Sequence, residues 1–333
     1  MKNYLYFVVV GAILFSSCGN NNKKIETDKT TENENKITVK VPVFNGDSAY
    51  YFVKKQVGFG PRVTNSKENK KCADYIAGKL KEYTDDVSIQ NGKMRAFDGS
   101  ILNLKNIIAS FNPEKTDRIF LCSHWDSRPF SDQDPDKENH SKPILGANDG
   151  ASGVGVLMEI ARLLKISKPN IGVDLILFDA EDYGQPENST FPDMEDSWCL
   201  GSQYWSNNPH KPNYNAKYGI LLDMVGAENA TFTMEGTSMF YASDFVRKVW
   251  DAGKRAGFEN YFVAKETKEI IDDHMYINRI KKIPTIDIIQ YEPISQSNFY
   301  VNWHTQKDDM NGINKNTLKA VGQTLLTVIF EEK

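Results

Sequence analysis

Short apolar runs alternate with segments of helical periodicity along most of this chain, and this alternation constrains its fold. Residues 118–123 and 173–178 are apolar runs, and the second is short enough for a strand buried on both faces. Between them, residues 153–166 place apolar side chains on one face of a helix. Strands that alternate with helices build a mainly parallel sheet covered by helices on both sides. We therefore predict an α/β fold, a three-layer α/β/α sandwich with a mainly parallel, mixed central sheet.

The same pattern extends through the rest of the chain. Further helices are predicted at residues 49–57, 71–83, 245–256 and 318–330. Further strands are predicted at residues 102–111, 218–222 and 284–289. Two long polar loops, residues 131–142 and 183–198, interrupt the alternation, and the sequence does not indicate their role.

The first polar loop has four acidic side chains, which raises the question of a calcium site. The acids are Asp132, Asp134, Asp136 and Glu138. Ca²⁺ prefers carboxylate oxygens, but an EF-hand loop also needs a glycine at its sharp turn, and this loop has none there. We favour a solvated loop over a calcium site.

The first residues have the features of an export signal. Lys2 precedes an apolar run at residues 4–14, which is too short to span a bilayer comfortably. The run ends in Phe15-Ser16-Ser17-Cys18, which resembles a bacterial lipobox. We predict that residues 1–18 are a lipoprotein signal peptide and lipobox, with lipid attached to Cys18. The alternative is an ordinary signal peptide with an unrelated cysteine.

The domain organisation and location follow from these features. Residues 19–37 have almost no large apolar side chains and are predicted to be a disordered tether. We predict that residues 38–333 form a single folded domain. We expect an exported protein that is lipid-anchored in the bacterial cell envelope, at the periplasmic face or the outer membrane. Its only membrane contact is the lipid anchor, and we expect a monomer. The net charge of −4 argues against a nucleic-acid partner.

Three cysteines remain beyond Cys18, and none forms a Cys-x-x-Cys pair. They are Cys72, Cys122 and Cys199. This count allows at most one disulfide and leaves at least one free thiol. Cys122 lies in an apolar run, so we expect a small buried side chain there.

Histidine or acidic residues follow four of the predicted strands. They are His124 and Asp126, Glu181 and Asp182, Asp223, and His304. Asp149 lies just before the helix predicted at residues 153–166. Ligands of open parallel sheets bind beyond the carboxyl ends of the strands, and acids near a core are costly unless they are paired or bound to metal. Carboxylate and imidazole groups without thiolates suit a catalytic zinc, so we predict a zinc site at this edge of the sheet.

These motifs, in this order, resemble those of the zinc aminopeptidase clan. The segments are His-x-Asp at 124–126, Asp149-Gly150, Glu181-Asp182, Asp223 and His304, and the resemblance extends from about Tyr50 to the end of the chain. Within that clan, the chain more closely resembles the animal-type glutaminyl cyclases, which also occur as bacterial exported forms. The segments that carry this closer resemblance are residues 122–127, residues 221–227, Asp272-Asp273-His274, and Phe299 with Trp303-His304-Thr305.

The resemblance implies roles for particular residues. Zinc would be bound by Asp149, Asp182 and His304. Glu181 would be the general acid/base, with Asp223 and Asp272 as partner carboxylates. Phe299 and Trp303 would line the substrate pocket. Two positions depart from the cyclase pattern, because Asp182 stands in place of a glutamate and Ile271 in place of a glutamine.

The resemblance also implies an activity. A glutaminyl-peptide cyclotransferase converts the N-terminal glutamine of a peptide or protein to pyroglutamate and releases ammonia. One zinc ion is expected. His124, Asp126 and Asp223 could complete a second metal site, so a second ion is not excluded. A zinc aminopeptidase with two metal ions is the first alternative. A non-catalytic peptide-binding lipoprotein is the second, and it predicts a broken ligand set.

Overall fold

The computed structural model describes residues 40–333, so the predictions for residues 1–18, for Cys18 and for residues 19–37 lie outside the described residues. The described strands are β1 (Asp86–Arg95), β2 (Ile101–Phe111), β3 (Arg118–His124), β4 (Gly172–Phe178), β5 (Gly219–Asp223), β6 (Phe232–Met234), β7 (Phe262–Glu266) and β8 (Thr285–Ile289). Six of them form one sheet in the order β1-β2-β4-β3-β5-β8, and β6 pairs with β7 separately.

The large sheet is mixed, as predicted. Strands β4, β3, β5 and β8 are parallel to one another. Near one edge, β2 runs antiparallel to both of its neighbours, β1 and β4. His124 pairs with Phe178 and Asp223 pairs with Ile289, so the carboxyl ends of these four strands lie along one edge of the sheet. The segments that follow them therefore begin close together.

Helices cover both faces of the sheet. They are α1 (Gly46–Val57), α2 (Lys67–Lys81), α3 (Ala151–Ile166), α4 (Leu200–Asn207), α5 (Gly236–Arg255), α6 (Asp273–Tyr276) and α7 (Lys315–Glu331). Several begin at a side chain that accepts hydrogen bonds from the first free backbone N–H groups, including Asn45, Ser66 and Asn314. Within residues 40–333, no helix is both long enough and apolar enough to span a bilayer.

Alternate side chains of β3 belong to two different hydrophobic clusters. Ile119 and Leu121 pack into the larger cluster, which includes residues of α1, α3 and α7. Phe120 and Cys122 pack on the opposite face with Trp205 of α4. Full burial of one such large apolar side chain contributes roughly 1.5–3 kcal/mol. This two-sided burial confirms the three-layer prediction and explains why β3 has no polar face.

The structure also contains elements that the periodicity did not indicate. β1 is an edge strand with no buried residue, so it lacks the apolar pattern of the central strands. α5 begins at Gly236, nine residues before the predicted start, because Glu235 accepts hydrogen bonds from the N–H groups of Thr237 and Ser238. Cys72, Cys122 and Cys199 are all buried and free, so the disulfide that their number allowed is not formed among them.

Candidate metal centre

Three buried side chains from separate loops converge at the carboxyl edge of the sheet. They are Asp149, Asp182 and His304, and one ligand atom of each lies within 4.8 Å of the others. The Nε2 atom of His304 is 3.1 Å from Oδ1 of Asp182 and 3.5 Å from Oδ2 of Asp149. The structure thus brings together the three residues predicted as zinc ligands.

The donor set fits a zinc ion. Asp149 and Asp182 each have one buried carboxylate oxygen without a hydrogen-bond partner. Burial and the nearby charge of Asp182 raise the pKa of Asp149 to about 7. Two buried carboxylates this close together repel each other, and a divalent cation between them would remove that cost. Two carboxylates and one imidazole are also an ordinary ligand set for a catalytic zinc.

The backbone around Asp149 is held in a specific conformation. Asp308 accepts hydrogen bonds from the N–H groups of Asn148 and Asp149, at 2.8 and 3.0 Å. Gly150 follows with a φ of +91°, and a Cβ atom there would lie 2.6 Å from the carbonyl oxygen of Asp126. Only glycine accommodates both constraints, so the glycine of the Asp149-Gly150 motif determines where the aspartate points.

A second group of potential ligands shares Asp149. The Nε2 atom of His124 is 3.0 Å from Asp149 Oδ1 and 3.2 Å from Asp223 Oδ1. Asp126, which the sequence also suggests for this second site, bonds the backbone instead. Its two oxygens accept hydrogen bonds from the N–H groups of Glu181 and Asp182, at 3.1 and 3.2 Å. Asp126 therefore orients the turn that carries these two acids and lies outside both groups of potential ligands.

Glu181 lies between the metal group and a second acid. One of its oxygens accepts a hydrogen bond from the thiol of Cys199 at 3.1 Å. Glu181, Cys199 and Asp272 form a further group whose polar atoms lie within 4.8 Å of one another. Burial raises the pKa of Glu181 well above its usual range, and the neighbouring charges of Asp272 and Asp182 add to this. Such an environment suits a group that exchanges protons with a substrate.

Asp272 combines a structural and a potential chemical role. It accepts a hydrogen bond from the N–H group of Asp273 at the start of α6, and its second carboxylate oxygen is buried without a partner. Burial, followed by the charge of Asp223, raises the pKa of Asp272 to about 7. Asp223 also lines the adjacent pocket, so both predicted partner carboxylates are near Glu181.

Behind Asp272 lies a buried polar group that sequence reasoning missed. Asp287, in the middle of β8, has both oxygens buried without a partner, and burial and the charge of Asp272 raise its pKa well above the usual range. His274 lies 3.9 Å from Asp287 and hydrogen-bonds Glu235 at 3.0 Å. An acid within the apolar segment Thr285–Ile289 was a signal that could have identified Asp287.

An aromatic pocket of about 400 Å³ opens onto these acids. Phe299 and Trp303 line it as predicted, with ring centres 4.9 Å apart, and the Trp303 ring stacks on that of His304 at 3.7 Å. Trp198 also lines the pocket and lies parallel to His304 at 5.8 Å. Trp198 was not predicted, and it belongs to the polar loop of residues 183–198. Ile271, one of the departures from the cyclase pattern, lines the pocket and is 66% exposed.

Three of the four acids of the loop at residues 131–142 have protein partners. Asp132 is paired with Arg128, Asp134 accepts hydrogen bonds from Gln306 and Asn139, and Asp136 accepts one from the N–H group of Glu138. Within residues 40–333, these acids do not form a group of potential metal ligands. The loop therefore gives no support to a calcium site.

Comparison with known proteins points in the same direction as the geometry. Residues 106–329 match the model of peptidase family M28. The structure is similar to that of a glutaminyl cyclase from Bacteroides thetaiotaomicron, with a TM-score of 0.86 and 53% identity over 88% of this chain and 100% of that one. A Zn-dependent exopeptidase from Parabacteroides distasonis has a TM-score of 0.86 and 52% identity, over 88% of this chain and 100% of that one.

A relative from Bos taurus is more distant. It is a glutaminyl-peptide cyclotransferase, 25% identical over 260 residues, which are 69% of this chain and 66% of that protein. The chain thus spans just under two thirds of the length of that relative.

Proposed function

This chain belongs to peptidase family M28, and we propose that within this family it acts as a glutaminyl cyclase. The reaction would convert the N-terminal glutamine of a peptide or protein to pyroglutamate and release ammonia. One observation carries the proposal. The triad of Asp149, Asp182 and His304 and the acids Glu181 and Asp272 converge on a single aromatic pocket. The 53% identity to a bacterial glutaminyl cyclase, over the whole chain of that solved structure, supports the same activity.

We propose that Asp149, Asp182 and His304 bind one zinc ion. The bound ion would supply Lewis acidity, which polarises the γ-carboxamide oxygen of the substrate glutamine. One unpartnered oxygen on each carboxylate and the imidazole Nε2 atom that faces both carboxylates support this assignment.

Glu181 is proposed as the group that moves the proton. The substrate's amine nitrogen attacks the carbonyl carbon of the γ-carboxamide and forms the lactam C–N bond, and the bond from that carbon to the side-chain nitrogen breaks. Glu181 accepts the proton that the amine loses and delivers it to the departing nitrogen, which leaves as ammonia. Asp223 and Asp272, which line the same pocket, would orient the amine.

Phe299 and Trp303 are proposed to exclude water and to hold the glutamine side chain in a curled conformation. Ring closure within one residue is favoured when the two reacting groups are held close together. The stacking of Trp303 on His304 fixes this wall beside the metal group.

A zinc aminopeptidase is the second candidate function. It is favoured by the group of His124, Asp149 and Asp223, which could hold a second ion through the shared Asp149. Two adjacent ions would activate a water molecule for peptide hydrolysis. The third alternative, a non-catalytic peptide-binding lipoprotein, predicts a broken ligand set, whereas both groups of potential ligands are intact in this chain.

The test is mass spectrometry of two peptides incubated with the purified protein and zinc. One peptide begins with glutamine, and its control begins with leucine. Loss of one ammonia from the first, with the second intact, supports the cyclase. Release of free N-terminal residues supports the aminopeptidase and a search for a second ion. With Glu181→Gln, zinc content should stay unchanged while turnover is lost, and near wild-type turnover would contradict the role of Glu181.

The proposed location rests on the first residues of the sequence. We propose that the protein is exported, that Cys18 carries lipid, and that this lipid is the only membrane contact of a monomer. Replacement of Cys18 by serine should move the protein from the detergent phase to the aqueous phase on phase separation. Retention of the variant in the detergent phase would contradict the anchor. Elution of the purified protein as a dimer on size-exclusion chromatography would contradict the monomer.

A further inference from the structure

We propose that the polar loop of residues 131–142 positions His304 for the metal ion, with Asp132 as the hydrogen-bond acceptor for the Nδ1 atom of the ring. The inference rests on the proposed zinc site. It assigns a role to a loop that lies more than 160 residues from His304 in the sequence. Asp132 would be a positioning residue, because it acts on the metal through the histidine.

The two nitrogens of His304 face different groups. Nε2 is 3.1 Å from Asp182, on the side of the metal group. Nδ1 is buried, has no hydrogen-bond partner, and lies 3.5 Å from Oδ1 of Asp132, at the outer limit of a hydrogen bond. A histidine that binds metal through one nitrogen commonly donates the N–H of the other to a carboxylate, which fixes the tautomer and the ring orientation. Asp132 is placed to be that carboxylate.

Asp132 is itself held rigidly by Arg128. The Nε and Nη2 atoms of Arg128 donate to the two oxygens of Asp132 at 2.6 and 2.8 Å, a bidentate pair. The Nη1 atom of the same guanidinium donates to the carbonyl oxygen of Asp182 at 3.0 Å. Arg128 is fully buried, and its guanidinium lies 4.4 Å from the centre of the Trp198 ring. One guanidinium therefore links Asp132 to the backbone of a second proposed zinc ligand.

The loop also supports the backbone that follows the His304 side chain. His304 has a φ of +53°, a left-handed conformation that is unfavourable for a non-glycine residue. The N–H group of Gln133 donates to the carbonyl oxygen of His304 at 3.2 Å. Oδ2 of Asp134 accepts from the N–H group of Gln306 at 2.9 Å. These bonds maintain a conformation that presents the ring to Asp149 and Asp182.

The experiment measures zinc affinity by competition with a chromophoric chelator, without substrate. Asp132→Ala should lower zinc affinity by close to 100-fold. Loss of a group that orients a metal ligand typically lowers affinity by about 10–100-fold, and this is the upper end of that range. Asp132→Asn keeps the size of the side chain and an acceptor oxygen but loses the charge. Its affinity should fall about tenfold, at the lower end of that range.

Asp136→Ala is the matched control. Asp136 lies in the same loop and is exposed, and its side chain accepts one hydrogen bond, from the N–H group of Glu138. Its replacement removes the same charge and should leave zinc affinity within about twofold, since exposed charges contribute little. Equal weakening by Asp132→Ala and Asp136→Ala would mean that general electrostatics is responsible, and this would overturn the proposal. Unchanged affinity in Asp132→Ala would overturn it as well.

Two further measurements separate this inference from the proposed function and from misfolding. If the wild-type protein binds zinc but does not cyclise the glutamine peptide, the proposed activity is contradicted. The comparison of zinc affinities still decides the role of Asp132 in that case. Wild-type protein that binds no zinc overturns both. If Asp132→Ala does not fold, as judged by circular dichroism, Asp132→Asn carries the test, and wild-type affinity in that variant overturns the proposal.

Discussion

At the edge of the sheet where β3 and β4 begin, Asp174 is fully buried and completely partnered. Arg118 donates to its two oxygens at 2.7 Å each, and the Tyr214 hydroxyl donates to one of them at 2.7 Å. At the opposite edge, several equally buried acids have oxygens without partners. They are Asp149, Asp182, Asp272, Asp273 and Asp287. The same strands thus connect one region where buried charge is neutralised within the protein and another where it is not.

The pKa of Asp174 and that of Asp272, one acid from each region, shift in opposite directions. Burial disfavours the charged form of Asp174, but the hydrogen bonds and charge of Arg118 outweigh it and hold the pKa below its usual range. Burial and the charge of Asp223 raise the pKa of Asp272 to about 7. Buried charge without a partner is costly to the folded state, so its concentration at one edge supports the proposal that a cation and a substrate bind there.

The largest effect on stability should come from the partnered region. Arg118→Met leaves Asp174 buried without its cation, which should lower the free energy of unfolding by about 3–5 kcal/mol in urea titrations. The control is Arg255→Met, because Arg255 forms an exposed pair with Glu331 and its loss should cost less than about 1 kcal/mol. Zinc affinity should be unchanged in both variants. A loss of less than about 1 kcal/mol in Arg118→Met would show that the two regions do not differ as proposed.

The second prediction concerns the region with unpartnered acids. A substitution there should leave stability unchanged and should lower zinc affinity and turnover. Asp149→Asn removes one of two mutually repelling carboxylates, so the melting temperature of the zinc-free protein should not fall. Zinc affinity and turnover should fall by more than about 100-fold, since loss of a ligand exceeds the loss of a group that orients one. Calorimetry of the zinc-free protein, chelator competition and the peptide assay give the three readouts. Destabilisation of zinc-free Asp149→Asn to the extent seen in Arg118→Met would contradict the comparison.

The smallest effect concerns the thiol that donates to Glu181. Cys199→Ala removes this bond, which contributes about 1 kcal/mol, so kcat should fall roughly fivefold with little change in KM. Cys199→Ser keeps a donor and should recover most of the rate. Cys122→Ala is the control, because Cys122 is also fully buried and free but packs in the hydrophobic cluster around Trp205. Equal rates in the alanine and serine variants of Cys199 would exclude a positioning role for the thiol.

The structure brings predicted site residues together where the sequence signal was local. Glu181, Asp182 and Asp223 each follow a predicted strand, so the direction of parallel strands was enough to bring them to one edge. Asp126 also follows a strand, yet it orients the turn at residues 181–182 by bonding the backbone, which its position alone did not indicate. A residue type at a strand end predicts proximity, whereas its partner depends on the geometry of the neighbouring turn.

The strand and the two residues discussed next were not predicted, because the sequence around each has no local pattern that indicates its place in the fold. β1 has no buried residue because it is an edge strand. Trp198 belongs to a loop whose sequence is polar, and only the packing of that loop against His304 makes the tryptophan part of the pocket. Asp287 lies within the apolar strand β8, whereas Asp272, the acid that affects it most, follows a different strand. The pattern of β8 alone therefore does not show that the two acids are close.

The sequence by itself determined the alternation of buried strands and helices, and with it the edge of the sheet at which acids and histidines collect. Those features follow from hydrophobic periodicity, which acts over a few residues. The tertiary structure alone decided that Asp132 lies beside His304, that Arg128 joins Asp132 to Asp182, and that Asp174 is neutralised while Asp149 is not. Those outcomes depend on distances of a few ångströms between residues far apart in the chain, and such distances are set only when the whole core is packed.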